Sequence, residues 1–83
     1  MNLTEAQVKE AIYKRLSEIA PEADLSALGA DENVRESLDI DSYDFLNLLI
    51  GLSEDLGVEV PEADYAKLAT MRGMLDYFVA RTA

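Results

Sequence analysis

The sequence contains no cysteine, no histidine and no tryptophan. Without cysteine there is no disulfide framework and no cysteine-bound zinc site. Without histidine, the side chain that most often moves protons near neutral pH is missing, and a serine–histidine–aspartate triad cannot be assembled. Catalysis by the chain alone would need carboxylates, lysines or tyrosines, and we expect that it is not an enzyme.

Long apolar stretches are also missing. None reaches the roughly 20 residues that a membrane span needs, and the N-terminus lacks the basic region and apolar run of a signal peptide. The chain has 83 residues, enough for one small domain. We therefore predict one domain over residues 1–83, monomeric and cytoplasmic.

Basic residues are scarce. Seven Lys and Arg stand against 17 Asp and Glu, giving a net charge of −10. From Glu36 to Asp64 there are nine acidic residues and no basic one. Such a surface repels nucleic acid and attracts basic patches on protein partners. On charge alone, the alternative of a solvated face that keeps the protein in solution is favoured.

The acidic residues do not make a recognisable metal site. Asp39, Asp41 and Asp44 are spaced like the start of a calcium loop, but the glycine and the closing glutamate of an EF-hand are absent. We predict weak, diffuse binding of divalent cations and no specific metal site.

The pattern of apolar residues predicts a first helix. Thr4 and Gln7 form a capping box, with Thr4 as N-cap. Pro21 ends the helix. The apolar residues that recur at helical spacing are Val8, Ile12, Leu16 and Ile19.

Residues 21–40 form a long connection with apolar residues of its own. Because structureless loops of this length are uncommon in compact domains, we expect it to pack across the bundle, with a short helical turn near Asn33–Glu36. A second helix follows, with Asp41 as N-cap, Leu56 near its end and Gly57 as a left-handed stop.

Two more helices complete the prediction. A short third helix covers residues 62–68, and Thr70 caps a fourth whose apolar side chains share one stripe. Gly73 inside the fourth helix weakens it by about 1 kcal/mol relative to alanine. The predicted fold class is all-α, a four-helix bundle with a long first loop and a short third helix.

The second helix carries more apolar surface than one packed face requires. Its predicted core face consists of Phe45, Leu48, Leu49, Leu52 and Leu56. Tyr43, Leu46 and Ile50 fall outside this face, on the other side of Ser42. A helix that is apolar over so much of its circumference is deeply buried or offers a binding surface, and a domain of this size can hardly bury it all.

Ser42 lies in the first turn of this helix, at the boundary between the two faces. Backbone N–H groups there lack helical partners, and the helix dipole favours an anion, so a phosphate on Ser42 would be well placed. The simpler alternative is that Asp41 and Ser42 only cap the helix, which is common for such a pair.

The wider pattern resembles the acyl and peptidyl carrier protein family. The resemblance begins at Leu38-Asp39-Ile40-Asp41-Ser42, where the family has an Asp-Ser modification site. It continues without a gap to residue 79, and the first helix fits by position and pattern. The further matching residues are Leu48, Leu52, Leu56, Gly57-Val58-Glu59-Val60-Pro61, Asp64, Lys67-Leu68, Thr70 and Asp76-Tyr77-Phe78.

The resemblance implies a function. In the family, the serine, here Ser42, receives 4′-phosphopantetheine from coenzyme A, and the aspartate before it, here Asp41, assists recognition by the phosphopantetheinyl transferase and its metal. The arm's thiol carries an acyl-type group as a thioester, which suits a chain without cysteine. The alternatives are an aminoacyl or peptidyl carrier charged by an adenylating ligase, and an unmodified acidic adaptor.

Partner choice is expected to depend on residues beside Ser42. Apolar anchors at Tyr43, Leu46 and Ile50 would meet enzymes that load and process the cargo. The rim of this surface holds Asp44, Asn47, Ser53 and Glu54. The family usually has Leu or Met at position 43, and its fatty-acid-synthesis carriers are often acidic at positions 47 and 53. These departures predict a specialised pathway with dedicated partners.

Overall fold

The computed structural model describes residues 3–82, and its regular elements are helical. The elements are α1 (Glu5–Ile19), the 3-10 turn η1 (Leu25–Ala27), α2 (Val34–Leu38), α3 (Ser42–Leu56), the 3-10 helix η2 (Glu62–Leu68) and α4 (Met71–Thr82). Within residues 3–82 the only extended pairing is an isolated bridge between Asn33 and Thr70. The all-α fold with a long first connection and a short third helix is confirmed.

The helix caps form as the sequence predicts. The Gln7 N–H donates to Thr4 Oγ1 at 3.2 Å, and the Thr4 N–H donates to Gln7 Oε1 at 2.9 Å. At the start of α4, the Gly73 N–H donates to Thr70 Oγ1 at 3.0 Å. Each bond satisfies a backbone donor that the first helical turn leaves without a partner.

The core lies between α1, α3 and α4. Its contact between α1 and α3 is the most extensive between any two elements of the described chain. The fully buried side chains are Val8, Ile12, Leu16, Val34, Leu48, Leu49, Leu52, Leu68, Met74 and Phe78. Phe45 and Leu56, predicted in the core face of α3, are half-buried and pack against this cluster from its edge.

The long connection is held against the bundle. Val34 is buried, and its N–H donates to the Ala69 carbonyl at 2.9 Å. The Arg72 N–H donates to the Ala30 carbonyl, also at 2.9 Å, while the Arg72 side chain pairs with Asp31 at 2.7 Å. The connection therefore packs across the bundle as predicted, and it is fastened to the start of α4.

Two helices end in the same left-handed motif. After α3, Gly57 has φ 65°, and the Val58 N–H reaches back to the Ser53 carbonyl at 3.1 Å. After α2, Asp39 has φ 53°, and the Ile40 N–H reaches back to the Arg35 carbonyl at 3.1 Å. Aspartate is one of the few non-glycine residues that adopt this conformation as single residues, so the turn that leads into α3 has a residue suited to it.

The predicted third helix has the expected bounds but is a 3-10 helix. A seven-residue segment gains little from α-helical winding, and its start is set by Pro61, whose carbonyl accepts the Asp64 N–H at 2.9 Å. Its end approaches α4 so closely that a Cβ at Gly73 would lie 2.2 Å from the Lys67 carbonyl oxygen. Gly73 is thus required for packing, which its helix propensity does not reveal.

Two carboxylates of the acidic stretch are paired with cations outside it. Asp55 forms a two-pronged ion pair with Arg15, with both N–O distances 2.7 Å. This pair joins α3 to α1 and lowers the pKa of Asp55, chiefly through the hydrogen bond.

No helix within residues 3–82 is long and apolar enough to cross a membrane.

Asp64 connects η2 to α4. It accepts a hydrogen bond from the Tyr77 hydroxyl at 2.7 Å and lies 3.3 Å from Lys67 Nζ and 3.5 Å from Arg81 Nη2. The Tyr77 hydrogen bond is the largest cause of a lowered Asp64 pKa, which burial opposes. Burial first, and this hydrogen bond second, raise the pKa of Tyr77.

Truncation of the α3 core face should be severe. Leu52 is fully buried, so Leu52→Ala removes buried apolar contacts and leaves a cavity, at a cost of about 2–5 kcal/mol. Ile50 on the same helix is 48% exposed, and Ile50→Ala should cost about 1 kcal/mol or less. Urea denaturation measures both values, and equal losses would contradict the orientation of α3.

Stability should depend on pH through Asp64. Because its pKa is lower in the folded than in the unfolded state, its stabilising contribution is complete above the ordinary Asp pKa of about 4 and is lost as pH falls below it. The free energy of unfolding of wild type minus that of Asp64→Asn should therefore shrink from pH 6 to pH 3. Tyr77→Phe should move the Asp64 carboxyl titration, followed by NMR, back toward its ordinary range. A difference that stays constant with pH would refute this role.

Candidate functional site

Ser42 is the first residue of α3, and its side chain is exposed. Asp41 is the N-cap, with extended backbone angles (φ −83°, ψ 175°). The Asp44 N–H donates to Asp41 Oδ1 at 2.8 Å, and the Phe45 N–H donates to the Asp41 carbonyl at 3.0 Å. The predicted cap is confirmed, and it orients the first turn so that the Ser42 hydroxyl faces solvent.

The Ser42 hydroxyl differs from those of the other four serines. Each of the others donates a hydrogen bond within the protein: Ser17 to Lys14, Ser26 to Asp24, Ser37 to Glu32 and Ser53 to Val58. The Ser42 hydroxyl makes no hydrogen bond to any of residues 3–82. It is the serine whose oxygen can form a new bond without breaking an existing interaction.

An open groove of about 560 Å³ lies beside Ser42. It runs between the first turn of α3, the start of α2 and the end of η2, and its surface is mostly apolar. Its lining residues are Asn33, Arg35, Ser42, Tyr43, Phe45, Leu46, Tyr65, Ala66 and Ala69. No carboxylate lines this groove, although the chain has 17 acidic residues.

Sequence reasoning missed the far side of the groove. Asn33, Arg35 and Tyr65 join Ser42 only because the connection folds back onto η2 and α4. One signal was present in the sequence: Arg35 is the last basic residue before the long acidic stretch.

The predicted partner surface is partly exposed as expected. Among the described residues, Tyr43, at 70% exposure, and Ile50, at 48%, are the large apolar side chains that remain exposed. Both belong to α3. Leu46 is half-buried and turns into the groove, and Asn47 is exposed. Isolated apolar side chains on a surface need no explanation, but two on one helix beside Ser42 are compatible with a contact surface.

The rim of that surface is less uniform. Glu54 is exposed and Asp44 is half-buried. Ser53 differs from its expected place on the rim, because it is half-buried and its hydroxyl donates to the Val58 carbonyl. Ser53 therefore helps to close the end of α3, and replacing it would disturb the fold as well as the surface.

The described residues contain no group of three or more acidic side chains placed to hold a metal ion. Asp39, Asp41 and Asp44 thus do not converge, although they are close in sequence. Asp41 uses one carboxylate oxygen for the helix cap, and a carboxylate has further acceptor capacity on its second oxygen. Asp41 can therefore cap the helix through one oxygen while its second oxygen accepts a hydrogen bond from a donor in solvent.

Comparison with known proteins gives a consistent result. The family model described as a phosphopantetheine attachment site matches residues 5–78. The chain is 31% identical over 74 residues to an acyl carrier protein from Rubrobacter xylanophilus, covering 86% of this chain and 91% of the relative. It is 32% identical over 81 residues to an acyl carrier protein from Thermosynechococcus vestitus, covering 93% and 89%.

The fold has a solved counterpart. An acyl carrier protein from Enterococcus faecalis superposes with a TM-score of 0.81, covering 95% of this chain and 99% of the other at 22% identity. At that identity the likeness concerns the fold alone.

The cap and the charge of Asp41 can be separated by substitution. Asp41→Ala removes the bond to the Asp44 N–H and should lower the free energy of unfolding by about 0.5–2 kcal/mol. Asp41→Asn keeps an oxygen that can cap, so its loss should be within a few tenths of a kcal/mol, about the spread among good caps. Thermal denaturation of the two variants tests this, and equal losses would mean that the carboxylate charge, and not the cap, stabilises α3.

Proposed function

The chain belongs to the acyl carrier protein family, and from this premise we propose that Ser42 is the residue to which its 4′-phosphopantetheine arm is attached. The protein is accordingly a carrier and not an enzyme, with phosphopantetheine as a covalent cofactor.

The free hydroxyl of Ser42 is the observation that supports this assignment best. It is exposed, begins α3 and makes no hydrogen bond to residues 3–82, whereas the other serine hydroxyls are all engaged. A phosphate on this oxygen would lie at the N-terminal end of a 15-residue helix, where backbone N–H groups and the helix dipole favour an anion. The described residues therefore fit the group.

The arm, when present, supplies a thiol that carries the cargo as a thioester. The protein chain holds the attachment point of the arm in a fixed position. Because α3 is fixed by its buried face, Ser42 is held on a rigid turn while its oxygen remains accessible to a transferase. A chain with no cysteine also offers no competing thiol of its own.

We propose that Asp41 assists the transferase and its metal. One oxygen of its exposed carboxylate accepts the hydrogen bond of the helix cap, and this bond holds the carboxylate of the residue next to Ser42 in place. Of the two variants described above, Asp41→Asn keeps the cap and removes the charge. It is therefore the variant that isolates this role.

We further propose that the carrier serves a specialised pathway, in the cytoplasm and as a monomer, with dedicated loading and processing enzymes. Tyr43 and Ile50 would anchor these partners, with Leu46 at the edge of the groove and Asp44, Asn47 and Glu54 around them. A pocket shaped for an aliphatic residue at position 43 would clash with the larger Tyr43. An uncharged Asn47 gives a basic partner one ion pair fewer, which is worth about 0–1 kcal/mol.

Loss of the Ser42 hydroxyl should abolish modification. Wild type incubated with coenzyme A and a promiscuous phosphopantetheinyl transferase should gain the mass of one arm, and Ser42→Ala should gain none while keeping its helical circular dichroism spectrum. Ser37→Ala, another exposed serine nearby, is the matched control and should still be modified. A full mass gain in Ser42→Ala would exclude Ser42, and no gain in wild type would favour the unmodified adaptor.

Partner choice should change with the residues beside Ser42. The holo protein carrying malonyl should be turned over slowly by a fatty-acid condensing enzyme, and Tyr43→Leu combined with Asn47→Glu should raise that rate several-fold by removing a clash and adding an ion pair. Ser53 is left unchanged because it supports the end of α3. Wild-type turnover equal to that of a fatty-acid-synthesis carrier would refute the dedicated-partner proposal.

A further inference from the structure

Arg35 is the single cation in the lining of the groove beside Ser42. Its side chain is exposed and forms no ion pair with any acidic group of residues 3–82. Its guanidinium is therefore available to an anion from outside the chain, although carboxylates outnumber cations more than two to one. The cations that do pair with an aspartate are Arg15, Lys67, Arg72 and Arg81.

The backbone keeps Arg35 in this place. Its carbonyl accepts both the Asp39 N–H and the Ile40 N–H, which closes the left-handed turn between α2 and α3. The buried Val34 next to it fastens α2 to the Ala69 carbonyl. The two helix ends that carry Arg35 and Ser42 are therefore held at one groove.

A second donor lies in the same lining. Asn33 Oδ1 accepts the Glu36 N–H at 3.1 Å, so the amide nitrogen of Asn33 is left to donate elsewhere. The lining of the groove thus contains a guanidinium and an amide N–H₂, and it contains no carboxylate. These are the groups that bind an oxyanion.

We propose that Arg35 binds the phosphate that joins the arm to Ser42, with Asn33 as a second donor, and so directs the arm over the groove. Arg35 is on this account a positioning residue, and the inference rests on attachment at Ser42. A phosphodiester at this place adds a negative charge close to Asp41 and Asp44, and a guanidinium can offset that repulsion with two parallel hydrogen bonds.

The same oxyanion chemistry could come from a carboxylate on the cargo. The phosphate is favoured because its position is fixed by Ser42 whatever the cargo, and because Arg35 and Ser42 border one cavity. A cargo carboxylate would stand at the far end of a flexible arm. An arm without cargo and an arm carrying malonyl separate the two sources.

The test compares melting temperatures of the apo and holo forms of wild type, Arg35→Gln and Lys14→Gln. Lys14 is exposed, is not in the groove and is paired with no carboxylate among the described residues, so Lys14→Gln matches the change in net charge. Intact mass first establishes that each protein is loaded. If wild type gains no arm, the proposed function fails, and the inference about Arg35 fails with it.

Loading should lower the melting temperature of Arg35→Gln by a few degrees more than that of wild type or Lys14→Gln, the size expected for one charge-assisted interaction in a domain of this length. Added salt should reduce the difference. Equal shifts in all three proteins would overturn the proposal while leaving Ser42 as the attachment site.

A second measurement needs no substitution. The Nε–H NMR signal of Arg35 in wild type should shift between the apo form and the holo form with a free thiol. It should then change little when malonyl is added. A signal that is unmoved by the arm and moves only with malonyl would assign Arg35 to a cargo carboxylate and overturn the phosphate proposal. If Arg35→Gln cannot be loaded with the arm, the NMR signal of Arg35 in wild type alone decides whether Arg35 binds the phosphate.

Discussion

Helix α3 packs against α1 through Leu48, Leu49 and Leu52, and the position of the site depends on this contact. The rotation of α3 about its axis is fixed by which residues it buries, and that rotation decides where Ser42 points. Gly51 assists, because a Cβ there would lie 2.9 Å from Nε of Arg15, which crosses α3 at this point to reach Asp55. Apolar burial and one ion pair therefore set the same register.

The remaining surfaces follow from this arrangement. With one face of α3 buried, the side chains near its start remain accessible: Tyr43 is exposed, and Tyr43 and Leu46 both line the groove. The connection before α3 then closes the groove, because its backbone pairs with residues at the start of α4. None of the carboxylates of the acidic stretch lines the groove, so the cavity beside Ser42 has a different electrostatic character from the surface around it.

Local patterns predicted most of the elements. The caps at Thr4, Asp41 and Thr70 and the stop at Gly57 depend on residues within one turn of each other, and all were confirmed. The 3-10 winding of η2 escaped prediction although its causes, the short length and the start at Pro61, are local. Two other features that escaped prediction depend on contacts between elements: the close approach that requires Gly73 and the groove that brings Arg35 to Ser42. No periodicity encodes such contacts, because they follow from how finished elements pack.

Family membership and residue chemistry contribute different parts of the account. Membership of the family accounts for a covalent arm, and the free hydroxyl of Ser42 supports the proposal that the arm is attached there. The departures at Tyr43 and Asn47 concern a separate question, namely which enzymes approach that arm. Placement and partner choice can consequently be tested independently.

The sequence permits a direct test of placement. Trypsin cleaves after Lys and Arg, and none lies between Arg35 and Lys67, so a single peptide of residues 36–67 contains Ser37, Ser42 and Ser53. Fragmentation of this peptide from the modified protein locates the added mass. The account predicts that the mass of the arm is on Ser42 alone. Mass on Ser37 or Ser53 would contradict it.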